Sequence, residues 1–347
     1  MMQTQISSLP APLQRYRRPI WTLLILAPVI SEVLSGATRL SVLFVLIPEI
    51  MTWGCGALLC RELARRWRAG AVSLLLLGLA LSVAEEFIIQ QTSLAPLPFP
   101  GANAIFGRYF GVNWAYFLFM LGFESIWVVL VPVQVTELCF PENRSQPWLR
   151  RRGFIASWIV FLVGCRMAWY GWTQQALKRM GVPPYHPPLA AISLGYASIA
   201  LLILFAYLLR SVGHSGRVTS RKANSWLVGI AVFIFASAWW ELVVLIFSPH
   251  PLFPASTALA AGLLWGILAF LMLLYLSSAT DWTDFHRWAA SFAAALGCML
   301  PGYISLAGWT LPDLIFKIVA NVAAVIGFLI LAARVRNRLA ESTLQSS

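Results

Sequence analysis

The chain has 347 residues, 59% of them hydrophobic and only 11% charged, with a net charge of +12 and a mean hydropathy of +0.76. Soluble domains carry about 25% charged residues, so this composition excludes a water-facing globule. The basic excess is almost all Arg, with Lys only at Lys178, Lys222 and Lys317; no basic run is interleaved with aromatics, which argues against a nucleic-acid partner and for Arg placed on membrane loops.

Apolar runs long enough to cross a bilayer recur along the whole length. They predict an all-α, polytopic bundle of ten transmembrane helices, near 19–36, 40–60, 70–92, 113–135, 153–174, 188–209, 225–247, 257–279, 288–308 and 311–334. The chain reads as one integral membrane domain, 1–347. A cytoplasmic segment spans 1–18, helices one and two 19–69, three to six 70–224, seven to ten 225–334, and a cytoplasmic tail 335–347.

In chain order, Arg15, Arg17 and Arg18 precede the first apolar run, which reads as an uncleaved signal-anchor helix and carries Glu32. Helix two carries Glu49 directly after Pro48, whose lost N–H is expected to kink the helix beside the acid. It ends at Arg61-Glu62-Leu63-Ala64-Arg65-Arg66, read as an interfacial anchor. Helix three carries Ser82, Glu85, Glu86 and Gln90; Ser82, Glu86 and Gln90 are spaced to share a helix face. Helix four carries Asn113 and Glu124, three turns apart, and then Glu137 before Phe140-Pro141-Glu142, read as a structured cytoplasmic corner. Arg166 lies midway along helix five, Glu241 in the outer half of helix seven, and Asp313 and Lys317 in the outer part of helix ten. His186 and His250 fall on outer loops and read as solvated. The Cys residues show no metal spacing, so neither a metal nor a cofactor is expected.

The basic residues test this topology. With the N-terminus inside, 19 fall on cytoplasmic segments and four on outer loops, which supports ten helices with both termini in the cytoplasm. Ser82-to-Glu86 and Ser237-to-Glu241 share a spacing, and Pro-rich loops follow both. The likeness suggests that helices three to six and seven to ten form a tandem four-helix repeat.

At 1.5 Å per residue, Glu32, Glu49, Glu85, Glu86, Glu124 and Glu241 fall in one slab between the midplane and the outer face. An ionisable group in a bilayer costs at least ~2.5–3.5 kcal/mol. Six carboxylates with only Arg166 and Lys317 at hand cannot all carry charge together. The slab therefore reads as a binding or proton-relay site built from Glu32, Glu49, Glu86, Gln90, Asn113, Glu124 and Glu241, with Arg166 as counter-charge.

The Glu85-Glu86 pair resembles the first motif of the CPBP (Rce1-type, glutamic) intramembrane proteases, Glu-Glu-x-x-x-Arg, with Gln90 in place of Arg. That resemblance implies Glu85 and Glu86 as a water-activating catalytic pair. The family's helix-borne His motifs have no counterpart in the sequence. Gly56-Ala-Leu-Leu-Cys-Arg61-Glu62-Leu63, the Glu-Glu pair, Asn113-Trp114 and Phe140-Pro141-Glu142 together resemble uncharacterised bacterial multi-pass membrane proteins. The leading expectation is a bacterial inner-membrane carrier of a small cationic solute, coupled to protons or cations, with the lipid bilayer as its other partner. The alternatives are an intramembrane hydrolase and a non-catalytic scaffold or sensor.

Overall fold

A computed structural model describes residues 16–96, 107–182, 185–211, 223–247, 253–277, 282–304 and 308–344. Ten helical segments follow one another. α1 is Arg17–Pro28, continued by a π-turn Val29–Val33; α2 is Leu40–Arg66; α3 is Ala71–Ile89; α4 is Trp114–Cys139; α5 is Arg151–Arg179. α6 is Leu189–Leu208, α7 Ser225–Phe247, α8 Ala255–Ser277, α9 Asp284–Met299 and α10 Leu311–Leu344. Among the described residues, seven of these, α2 to α6, α8 and α10, are long and apolar enough to cross a membrane. Helices satisfy their own backbone hydrogen bonds, which is the condition for crossing hydrocarbon.

The largest differences from the expected boundaries are in the last two helices. α9 starts at Asp284, because Thr283 and His286 form a reciprocal cap, and it stops before Pro301, which opens a 3-10 turn Pro301–Tyr303 and cannot donate into a continuing helix. His286 is thus a buried helical residue, not a loop one. α10 runs ten residues past the expected end, since Ala-Ala-Arg-Val-Arg-Asn-Arg-Leu-Ala contains no breaker.

The core is built around α1 to α4. Leu23, Ala57, Leu58, Leu74, Leu77 and Val128 form one buried apolar cluster; Ile30, Phe119, Phe123, Trp127, Trp240 and Cys298 belong to a second. Small residues set the spacing: a side chain at Gly54 would run into the backbone carbonyl of Leu24. α5, α6 and α8 are peripheral and leave Leu162, Leu201, Phe205, Leu264 and Leu271 exposed for lipid. The two tetrads take different neighbours: α3 packs chiefly on α6 and α4, whereas α7 packs chiefly on α9.

One end of the bundle gathers the segments expected in the cytoplasm. Tyr16 bonds Gln146 (2.9 Å), Arg144 pairs with Asp284 (2.6 Å), Arg338 donates to the Leu138 carbonyl (2.8 Å), and Trp67 meets Tyr207 edge-on. At the other end Arg39 donates to the Gly308 carbonyl (3.2 Å). Asp313 accepts from the Ser41 N–H (2.9 Å) and from the Thr310 hydroxyl (2.8 Å), capping α10 and tethering α2 to it. A short hairpin, β1 (Arg108–Tyr109) with β2 (Val112–Asn113), turns through Phe110 and Gly111 at positive φ, the turn geometry that matches strand twist.

Candidate functional site: a buried carboxylate cluster

Apart from Glu241, each glutamate of the predicted slab sits in, or directly before, a π-helical turn. Glu32 lies within Val29–Val33, and Glu49 precedes Ile50–Gly54. Glu85 and Glu86 open Glu85–Ile89, and Glu124 opens Glu124–Leu130. The i+5 bonds are direct: Leu34 N–H donates to the Val29 carbonyl and Gln90 N–H to the Glu85 carbonyl, both at 2.9 Å. A π-turn inserts one residue into an α-helix, re-aims its side chains and loosens one backbone turn; such turns concentrate at functional sites. Four helices share the feature.

The polar contacts also differ from the expected helix face. Ser82 does not line up with Glu86; its hydroxyl donates to the Met120 carbonyl (3.0 Å). Glu86 turns instead toward the outer loop. There Thr92 and Ser93 donate to the same oxygen, Oε2, at 2.7 and 2.5 Å. Gln91, at φ +59°, folds that loop back over the acid. The hairpin holds it there: Ser93 accepts from the Asn113 N–H (2.8 Å), and Arg108 donates to the Leu94 and Ala95 carbonyls. Glu49 is held in the same manner by the Thr38 hydroxyl (2.5 Å).

The remaining carboxylate oxygens have little to hold them. Glu85 and Glu124 are 2% and 0% exposed. Neither oxygen of either side chain has a hydrogen-bond partner among the described residues, nor do Glu86 Oε1, Glu49 Oε2 and the Asn113 amide nitrogen. Asn113 uses its side-chain oxygen to cap α4. The acids lie within electrostatic reach of one another: Glu49 of Glu32, Glu32 of Glu85, and Glu124 of Glu85, Glu86 and Glu32. Tyr116 faces Glu86, Glu124 and Glu32. Glu32 and Tyr116 are only partly buried.

Three predicted members stand apart. Arg166 is exposed on α5, its guanidinium 4.1 Å from the Trp169 ring; it does not supply the counter-charge, because its position on α5 faces away from the core. Glu241 is exposed on α7. Gln90, at the C-terminal edge of the π-turn, is half-buried. Lys317 is the deep cation. It is 1% exposed and donates to the Leu34 carbonyl (2.7 Å), where α1 ends, with its Nζ 4.5 Å from the centre of the Tyr303 ring. Sequence reading missed Thr38, Thr92 and Ser93, whose hydroxyls serve the acids, and Tyr116, which lies beside them; the signal available was the hydroxyl pair six and seven residues beyond Glu86.

A second set of buried acids is arranged in the opposite way. Arg61, read as an interfacial anchor, is fully buried. Its Nε meets Glu137 Oε1 (3.0 Å) and its Nη1 meets Glu62 Oε1 (3.3 Å). Its other protons reach the carbonyls of Asn143, Arg144 and Gln146, and its guanidinium lies 3.3 Å from the centre of the Trp148 ring. Glu62 accepts from the Trp148 and Leu149 N–H groups (2.6 and 3.1 Å), and Arg65 clamps both oxygens of Glu137 (2.7–2.8 Å). Anchoring fails as a description because the corner Phe140–Trp148 closes over the guanidinium and excludes it from the interface.

Among the described residues no group of three or more His, Cys, Asp or Glu side chains is placed to hold a metal ion. Of the described histidines, His186 is exposed and His286 sits at the Arg-rich end, bonded to Thr283 and Ala223. Neither stands beside Glu85 and Glu86 in the way the glutamic intramembrane proteases require.

Fold and site define a multi-pass helical membrane protein with a carboxylate cluster inside its bundle. Residues 22–345 match the uncharacterized membrane protein family, and the chain belongs to that family. No curated protein and no solved structure matches it.

Proposed function

We propose that the chain is a proton-coupled carrier of a small cationic solute, resident in a bacterial inner membrane. The observation that carries this reading is the pair Glu85 and Glu124: buried, mutually close, and without a hydrogen bond among the described residues on any of their four oxygens, since the one hydroxyl near Glu124, that of Ser82, donates to the Met120 carbonyl. Unpaired carboxylates in a low-dielectric interior demand compensation. A proton on the acid supplies it, and so does a cation held between acids. A site that accepts either one exchanges them, which is the elementary step of coupled transport. The π-turns in α1 to α4 supply loosened backbone at the depth where a carrier's helices must flex.

The test is flux in proteoliposomes that enclose a pH dye. A panel of alkali cations and small organic ammonium ions is presented under an imposed pH gradient. Cation entry is expected to move protons outward, and Glu124→Gln or Glu86→Gln to abolish the movement without unfolding the protein. Flux that is absent for every member of the panel, or indifferent to both substitutions, sinks the reading.

A further inference from the structure

The carrier reading requires a barrier on each side of the cluster, and the two sides differ. Toward the outer face the acids meet hydroxyls from loops, Thr38, Thr92 and Ser93, and Glu32 and Tyr116 keep some accessible surface. Toward the cytoplasmic end lies a buried apolar layer that includes Leu58, Leu59, Leu77, Leu81, Val128 and Val133. Beyond it stands the Arg61 network. α2 and α4 each carry both features: Glu49 and Arg61 on α2, Glu124 and Glu137 on α4. The separation along each axis is about 18–20 Å at 1.5 Å per residue.

We infer that the buried Arg61–Arg65–Glu137 network is the inner gate of the carboxylate site: it holds the cytoplasmic ends of α2 and α4 shut and parts when the site opens inward. This rests on the carrier reading above. The argument concerns why the contact is ionic. A buried ion pair is seldom more stable than well-packed apolar side chains of equal volume. An apolar seal, once opened, would expose hydrocarbon to water. Parted Arg and Glu side chains are instead solvated, so an ionic contact can open and close with little net cost. The geometry suits that use. Glu137 is shared by Arg61 (3.0 Å) and Arg65 (2.7 Å), both on α2, so this one carboxylate carries the α2–α4 charge contact. Arg61 keeps four further acceptors, Glu62 and three carbonyls of the 143–146 corner, which would hold it on the corner when Glu137 departs. The π-turns Ile50–Gly54 and Glu124–Leu130 lie between gate and site on these same two helices, where a bend would be absorbed.

Cys55 is a native reporter. It is buried on α2, six residues from Glu49 and six from Arg61. In the full-length chain with Cys60, Cys139, Cys165 and Cys298 replaced by Ala, a membrane-impermeant maleimide is applied to one face at a time, using right-side-out and inside-out vesicles. Glu137→Gln is expected to raise the rate of Cys55 labelling from the cytoplasmic face at least tenfold and to leave the outer-face rate unchanged. Arg65→Gln, whose side chain is partly exposed, is expected to act in the same direction and decides the matter if Glu137→Gln does not fold. An unchanged inner rate, or an equal rise from both faces, overturns the gate. The readout involves no transport: a chain that gates but moves no cation contradicts the carrier alone, and cation-coupled flux with no inner-face change contradicts the gate alone.

Discussion

Two glutamates on α4, thirteen residues apart, are expected to respond to the same substitution with opposite sign. Glu124 is fully buried and has no partner on either oxygen among the described residues. An unsatisfied buried polar group costs about 1–3 kcal/mol, and Met fills nearly the same volume, with a repacking penalty under about 1.5 kcal/mol. Glu124→Met is therefore expected to leave stability unchanged or raise it by up to about 2 kcal/mol. Glu137 is buried at 3% exposure and meets two guanidiniums, one of them fully buried. Glu137→Met removes the carboxylate shared by Arg61 and Arg65 and leaves the buried Arg61 with Glu62 and the corner carbonyls alone; breaking a buried pair in this way costs up to about 3–5 kcal/mol. The assay is reversible unfolding in bicelles followed by the fluorescence of the 16 Trp residues. A loss of more than about 1 kcal/mol for Glu124→Met would mean that Glu124 is a structural contact, and the reasoning that makes it a site residue would fall.

Gly54→Leu is expected to disrupt folding, because the new side chain meets the Leu24 carbonyl where α1 and α2 touch; loss of a monodisperse peak in size-exclusion chromatography reads it out. Removing the paired donors by Thr92→Val with Ser93→Ala leaves Glu86 Oε2 without its two hydroxyls, at about 1.5–3 kcal/mol per charge-assisted bond. The same unfolding assay measures it, and an unchanged stability would show that the outer loop does not hold the acid. Asp313→Ala loses the α10 cap and the tether to Ser41, at about 1–2 kcal/mol. Arg166→Gln is expected to leave both stability and flux unaltered, since Arg166 is exposed and reaches only Trp169.

Much of the architecture was legible because it follows from one solvent. Hydrocarbon imposes a run of about 20 apolar residues per crossing, and the Arg bias orients them; Arg144 and Asp284, or Arg338 and Leu138, meet at one end as that bias requires. That Glu32, Glu49, Glu85, Glu86 and Glu124 come near one another was legible too, because level along a helix needs only counting. Orientation around the helix was not. A π-turn changes the angular register by an inserted residue, and nothing in Glu85-Glu86-Phe87-Ile88-Ile89 announces it, so the expected Ser82–Glu86–Gln90 face was lost. Arg166 and Arg61 were read in reverse for a related reason. Charge alone does not say whether an Arg looks toward lipid or is covered by a distant segment. Arg61 is covered by a corner more than 80 residues along the chain, whereas Arg166 is exposed and lies over Trp169 of its own helix.

The most direct measurement of the central claim is proton release on cation binding. Purified protein in weakly buffered detergent solution, with a pH indicator, is titrated with the cations of the flux panel. If Glu85 and Glu124 form a site that holds either protons or a cation, at least one cation acidifies the wild-type solution saturably, and the Glu85→Gln/Glu124→Gln double variant, folded, releases nothing. A folded wild-type protein that releases no proton to any of these cations, or a double variant that releases as many as the wild type, contradicts the account.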